Sequence, residues 1–202
     1  MALRLFVAVA VPEAVRNQLH RALRAVDPAP QPQGLRWLSG DSYHFTLQFL
    51  GDVEPGRVPA LSEACARAAT QVAPFRLVLG AAGTFGSPRR ARVLWVGVNR
   101  GAGPMTQLAA AVREQTAELG FEADERPYTP HLTVARIKRP ANVRDLLDAL
   151  KTPALAMDVG ELTLFRSHLS HDGARHEALF SAPLSGVDEG AVGDGSEGSS
   201  DA

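Results

Sequence analysis

The chain has one cysteine, Cys65, and only two lysines, Lys138 and Lys151. A single thiol excludes a disulfide framework and a thiolate zinc site. It fits a reducing, cytoplasmic setting. No apolar run approaches the roughly 20 residues of a membrane span, which excludes an integral helical membrane protein. Leu5-Phe-Val-Ala-Val-Ala-Val11 imitates a short signal peptide. Its basic flank is almost absent, however, and Pro12 and Glu13 follow at once, so it reads as a buried strand. There is no Walker loop and no HExxH, so the sequence calls for no cofactor. No heptad or long apolar stripe appears, and a monomer without an obligate protein partner is expected.

What is present suffices for an ordinary core. The chain has 202 residues, 45% hydrophobic and 21% charged, enough to fold without metal or disulfides. Residues 187–202 hold five acids and no base. Their Gly/Ser/Asp composition predicts a disordered tail, leaving one domain over 1–186. Without those five acids the formal charge of -1 becomes about +4. Nearly all of the positive charge is arginine, the side chain suited to bidentate phosphate contacts.

Apolar periodicity predicts strands over 3–9, 35–38, 44–50, 75–79, 93–98, 131–137, 155–159, 161–166 and 176–182. It predicts helices over 12–26, 55–72, 104–119 and 143–150. The strands come in pairs between helices, which argues for an α+β fold with a largely antiparallel sheet.

One pattern repeats: His44-Phe-Thr46-Leu47 and His131-Leu-Thr133-Val134. Each opens a predicted strand, where residues i and i+2 share a face. His44 and Thr46 therefore share a face, expected to include Gln48, with Phe45, Leu47 and Phe49 turned to the core. His131 and Thr133 form an identical pair. With nine threonines in 202 residues, a Thr two places after a given His is roughly a one-in-twenty accident. Two such pairs on matching strands point to function. Imidazole titrates near neutrality, so one His can act as base and the other as acid on opposite sides of a phosphodiester. Each Thr hydroxyl can donate to a nonbridging phosphate oxygen. No metal is required.

The paired motifs resemble the 2H phosphoesterase superfamily, and within it the RNA 2′,3′-cyclic phosphodiesterases, also called 2′-5′ RNA ligases. The resemblance runs over roughly residues 3–184. It includes Arg4-Leu-Phe-Val-Ala with Pro12, His44-Phe-Thr-Leu with Phe49-Leu-Gly51, and Gly83-Thr-Phe85. It continues through Arg92-Val-Leu-Trp95-Val-Gly97, Arg126-Pro-Tyr-Thr-Pro-His131-Leu-Thr-Val-Ala-Arg136 and Leu164-Phe-Arg-Ser167. It implies a bilobal fold, two pseudo-twofold-related lobes with outer helices and a basic central cleft. It implies hydrolysis of RNA 2′,3′-cyclic phosphate ends to 2′-phosphomonoesters, and ATP-independent 2′-5′ joining of RNA such as tRNA halves. His44 would protonate the 3′-oxygen leaving group and His131 would activate water. Alternatives are a phosphodiesterase for a small cyclic nucleotide, a silent RNA-end binding module, and a metallohydrolase built on His168, His171 and His176. The spacing of those histidines fits no standard metal site.

Lesser candidates follow. Many relatives carry a second aromatic where this opening strand has Val7, which puts base stacking there in doubt. Tyr128, just before the second motif, is the better stacking candidate. Arg136 matches a family arginine, yet at i+5 from His131 a regular strand would turn it away, so only a bulge or a strand end lets it reach phosphate. Arg89, Arg90 and Arg92 crowd one loop and are expected at the cleft rim, against RNA backbone. Trp37 and Trp95 read as core residues, and Cys65 sits on the buried face of its helix. Relatives often carry Tyr near His176.

Overall fold

The segment Leu5–Val9 is buried along its whole length, on a strand paired at both edges and covered on both faces, by the core on one and by the rings of Phe165, His44 and His176 around Phe6 on the other. That strand is β1 (Leu3–Ala10). Leu5, Val7 and Val9 enter the main hydrophobic cluster, while Phe6 and Ala8 face the other side. The computed structural model describes residues 1–26, 31–122, 126–170 and 173–187. The expected tail, apart from the exposed Val187, lies outside the described residues.

After β1 come α1 (Glu13–Arg24), β2 (Leu35–Trp37), β3 (His44–Val53), α2 (Val58–Ala69), β4 (Phe75–Gly83) and β5 (Ala91–Arg100). Then follow α3 (Ala102–Ala117), β6 (Leu132–Ala141), α4 (Arg144–Ala149), β7 (Ala156–Val159), β8 (Glu161–Ser170) and β9 (Gly173–Pro183). Each expected element is present. Several strands run longer than the apolar pattern predicts. β8 and β9, for example, pair out to Ser170 and Gly173. An antiparallel ladder needs backbone groups rather than apolar side chains, so polar residues can extend it.

The fold is α+β. The strands form one antiparallel sheet in the order β7-β4-β5-β6-β3-β1-β8-β9, with β2 also pairing β6. It divides into two four-stranded halves, β3-β1-β8-β9 and β6-β5-β4-β7. Each half contains a strand–helix–strand unit, β1–α1–β3 in one and β5–α3–β6 in the other, and each unit ends on a strand opened by an HxT motif. The halves meet where β3 pairs β6 at Phe45 opposite Leu132. Both side chains are fully buried. Farther along β6, β2 takes the place beside it, with Trp37 opposite Ala135 and Leu35 opposite Ile137. On the covered face α2 packs against α3, β8 and β9, and α3 against β3. Cys65 on α2 is buried, which pushes its thiol up to about 12.

One glycine matters for the layout of the cleft. A Cβ at Gly83 would lie 2.4 Å from the Trp95 ring. Trp95 in turn supports Phe85, ring centres 5.7 Å apart. Gly83→Ala should therefore displace the indole and cost about 1–3 kcal/mol by overpacking. A lower urea midpoint at unchanged slope is the expected reading, and a midpoint equal to wild type would contradict this packing.

Candidate active site

The seam between the halves brings the two motifs together. With Phe45 opposite Leu132, the antiparallel register sets His44 across from Thr133 and Thr46 across from His131. Strand spacing then puts the two histidines on a diagonal of roughly 8 Å between Cα atoms, room for a phosphate between two imidazoles. Phe45 and Leu132 anchor the floor, and the four polar side chains stand on its open face.

Two β-bulges shape the walls. In the β5–β6 ladder, Trp95 pairs Thr133 but Leu94 pairs Ala135, so Val134 is an extra residue. Val134 and Ala135 are consecutively buried and Arg136 emerges on the cleft side with Thr133. This is the bulge that a phosphate role for Arg136 requires. In the β1–β3 ladder, Val7 pairs Gln48 but Ala8 pairs Thr46, leaving Leu47 extra. Leu47 and Gln48 are both buried, and Phe49 is 66% exposed. This corrects the alternation expected from the sequence, since Gln48 faces inward and Phe49 faces the cleft. Inside, Gln48 Oε1 accepts from Thr116 Oγ1 at 2.6 Å, and Gln48 Nε2 donates to the Phe121 carbonyl at 3.4 Å. The two bulges fall at corresponding positions after each histidine, so Phe49 and Arg136 are structural counterparts.

The cleft has a volume of about 1170 Å³ and is lined by His44, Thr46, His131, Thr133 and Arg136. Residues with no role expected from the sequence also line it: Arg4, Arg24, Arg36 and Arg175, the aromatics Phe6, Phe49 and Phe85, and His20; His176 lines it too. Their signal in the sequence was no more than arginine richness, because they come from distant segments. Among the described residues no carboxylate lines the cleft. Trp37, half-buried and packed against the edge of the core, lines it as well. Val7 faces the core, so its lack of an aromatic ring bears on packing, while Phe6 supplies the cleft wall on β1. The Phe6 ring lies 4.8 Å from that of His44 and 5.0 Å from that of His176. Phe85 meets His131 edge-on at 4.8 Å.

The histidines are held neutral. Burial, then the neighbouring His176, pushes His44 down to about 4, against the pull of a hydrogen bond to the Ser42 backbone. Burial also lowers His131, whose Nδ1 lies 2.7 Å from the Thr129 carbonyl. A carbonyl only accepts, so Nδ1 carries the proton and Nε2 is bare, the form a general base needs. Each motif histidine thus leans on the backbone of the residue two places before it.

Other candidates stand elsewhere. Tyr128 does not line the cleft; its hydroxyl donates to the Thr46 carbonyl at 3.0 Å and the Arg113 guanidinium sits 5.5 Å from its ring centre. The stacking role is therefore corrected to a clamp on the first motif strand. Arg89, Arg90 and Arg92 are exposed and are not among the lining residues. Arg89 and Arg90 belong to the 3-10 turn Pro88–Arg90, and Arg92 to β5. His168 Nε2 is 2.7 Å from Glu177, and His171 lies outside the described residues. Among the described residues no group of three or more His, Cys, Asp or Glu side chains converges on a metal-sized site. No helix among them is long and apolar enough to cross a membrane.

Comparison with known proteins agrees with this fold. A family model described as the 2′-5′ RNA ligase superfamily matches residues 11–171. The chain is similar to an RNA 2′,3′-cyclic phosphodiesterase of Geobacillus stearothermophilus, 36% identical over 162 residues, covering 79% of this chain and 51% of that one. It thus spans about half the length of that relative. An RNA 2′,3′-cyclic phosphodiesterase of Methanothermobacter thermautotrophicus is 32% identical over 179 residues, 86% of this chain and 94% of that one. The structure of E. coli LigT complexed with 3′-AMP superposes with a TM-score of 0.73 at 28% identity, over 91% of this chain and 99% of that one.

Two outcomes follow. Below pH 6.5 the unfolded chain protonates the His44 position while the folded protein resists it down to about 4. Stability should therefore fall with pH across that window, because the unfolded state binds more protons. Urea midpoints at neutral and acid pH should show a smaller acid loss in His44→Gln than in wild type. Tyr128→Phe keeps the ring but removes the hydrogen bond, and should cost about 0.5–1.5 kcal/mol; unchanged stability would argue against the clamp.

Proposed function

The chain belongs to the 2′-5′ RNA ligase superfamily, and from that membership we propose that it hydrolyses RNA 2′,3′-cyclic phosphate ends to 2′-phosphomonoesters by two-histidine acid–base catalysis. One observation carries the reading. Both HxT pairs converge at the β3–β6 seam, in a cleft whose described lining residues include five arginines and no carboxylate. Such a surface favours a polyanion.

In this reading the phosphate sits between the histidines. His131, with Nε2 bare, takes a proton from the attacking water. His44 gives a proton to the departing 3′-oxygen. His44 is neutral in the free protein, so it must take up its proton as the substrate anion enters and offsets the surrounding positive charge. Thr46, Thr133 and Arg136 donate to the nonbridging oxygens as charge builds in the transition state. A 5′-hydroxyl in place of water would form a 2′-5′ linkage with the same base and acid. Arg4, Arg24, Arg36 and Arg175 extend the positive lining beyond one phosphate. That favours an RNA end over a small cyclic nucleotide.

The test is a short RNA ending in a 2′,3′-cyclic phosphate, incubated with the protein in EDTA, with separation of the products. A 2′-phosphate is expected. His44→Ala and His131→Ala should each lower kcat by about 10²–10⁴-fold, the worth of a positioned acid or base. Thr46→Ala and Thr133→Ala should cost less, since the partner donors remain. Near-full activity in either histidine variant would end the two-histidine mechanism.

A further inference from the structure

A third histidine stands in the cleft outside the HxT pairs. His176, on β9 opposite Ser167, meets the His44 ring edge-on at 4.9 Å and the Phe6 ring at 5.0 Å. It lines the cleft, yet its Nδ1 is sealed from solvent with no hydrogen-bond partner. That fixes its tautomer. A buried N–H without an acceptor is rarer and costlier than a bare lone pair, so Nδ1 carries no proton. In the neutral ring the hydrogen then sits on Nε2, the nitrogen left open.

The surroundings keep the ring neutral. An imidazolium would bury the same orphan N–H. Among the described residues, the charged and titratable groups lining the cleft with His176 are His44, His131, His20, Arg4, Arg24, Arg36, Arg136 and Arg175, with no carboxylate. The adjacent Glu177 is bonded instead to His168 and lies 3.8 Å from Arg166. Burial lowers His176 in the same direction. His131 and His176 therefore present opposite tautomers, a bare Nε2 at one and an Nε2–H at the other.

We propose that His176 is a fixed neutral hydrogen-bond donor, whose Nε2–H meets a phosphate oxygen of the bound RNA end beside His44. It rests on the phosphodiesterase reading above and adds a substrate contact on the leaving-group side. A neutral donor suits that place, because a second cation next to His44 would oppose the proton His44 must hold.

Three variants test it on a short RNA ending in a 2′,3′-cyclic phosphate. Glutamine places an N–H near the Nε2 position, asparagine near Nδ1, and phenylalanine keeps the ring contacts without a donor. His176→Phe and His176→Asn should lower kcat/KM about 10- to 100-fold, the worth of one hydrogen bond to a charged group. His176→Gln should retain most of the activity. Rescue by Asn as good as by Gln, or full activity in the Phe variant, would overturn the donor role alone. A wild-type protein inactive on this RNA would overturn it together with the phosphodiesterase reading. Nitrogen-15 NMR of the free protein needs no substrate. It should show His176 as the Nε2–H tautomer at neutral pH, and an Nδ1–H or imidazolium signal would sink the proposal on its own.

Discussion

One backbone pairing organises the site. Phe45 opposite Leu132 is where β3 meets β6, and it is the place where the two halves of the sheet are hydrogen-bonded through their motif strands. Because both side chains are completely buried, the next residues on each strand are forced onto the opposite, open face. The apolar residue inside each motif thus matters as much as the polar ones that flank it. Beyond this point β2 accompanies β6, and the space between the halves becomes the cleft.

The bulges complete what the seam begins. A strict alternation would have buried Arg136 and exposed Gln48. The extra residues, Val134 and Leu47, reverse both outcomes. Each bulge leaves two consecutive buried residues and then presents a new side chain to the cleft, an arginine on one wall and a phenylalanine on the other. Gln48, once turned inward, needs polar partners, and Thr116 and the Phe121 carbonyl supply them. Tyr128 holds the same strand at Thr46. The first motif is therefore fixed from behind by side chains that never touch the cleft.

Electrostatics inside the cleft follow from an imbalance. Among the described residues, arginines and histidines line it and carboxylates do not. The imidazoles answer burial and like charge by staying neutral, as the lowered His44, His131 and His176 indicate. In the proposed reaction an anionic substrate supplies the counter-charge, and its arrival favours a protonated His44, which would couple binding to activation through charge.

Much of this was legible in the sequence. Periodicity located each strand and α-helix of the described residues, because burial on one face of a strand or helix leaves its period in the residue order. The two HxT repeats named the four central side chains, since i and i+2 must share a strand face. What the tertiary structure decided was where alternation breaks and which distant segments meet. A bulge has no residue signature of its own, so the true facing of Gln48, Phe49 and Arg136 had to be seen. The arginines that line the cleft come from β1, α1, β2, β6 and β9, whereas the conspicuous cluster Arg89, Arg90 and Arg92 lies outside it. Local order determines which face a side chain takes; only the assembled sheet determines what that face looks upon, because the contact is made between residues far apart in the chain.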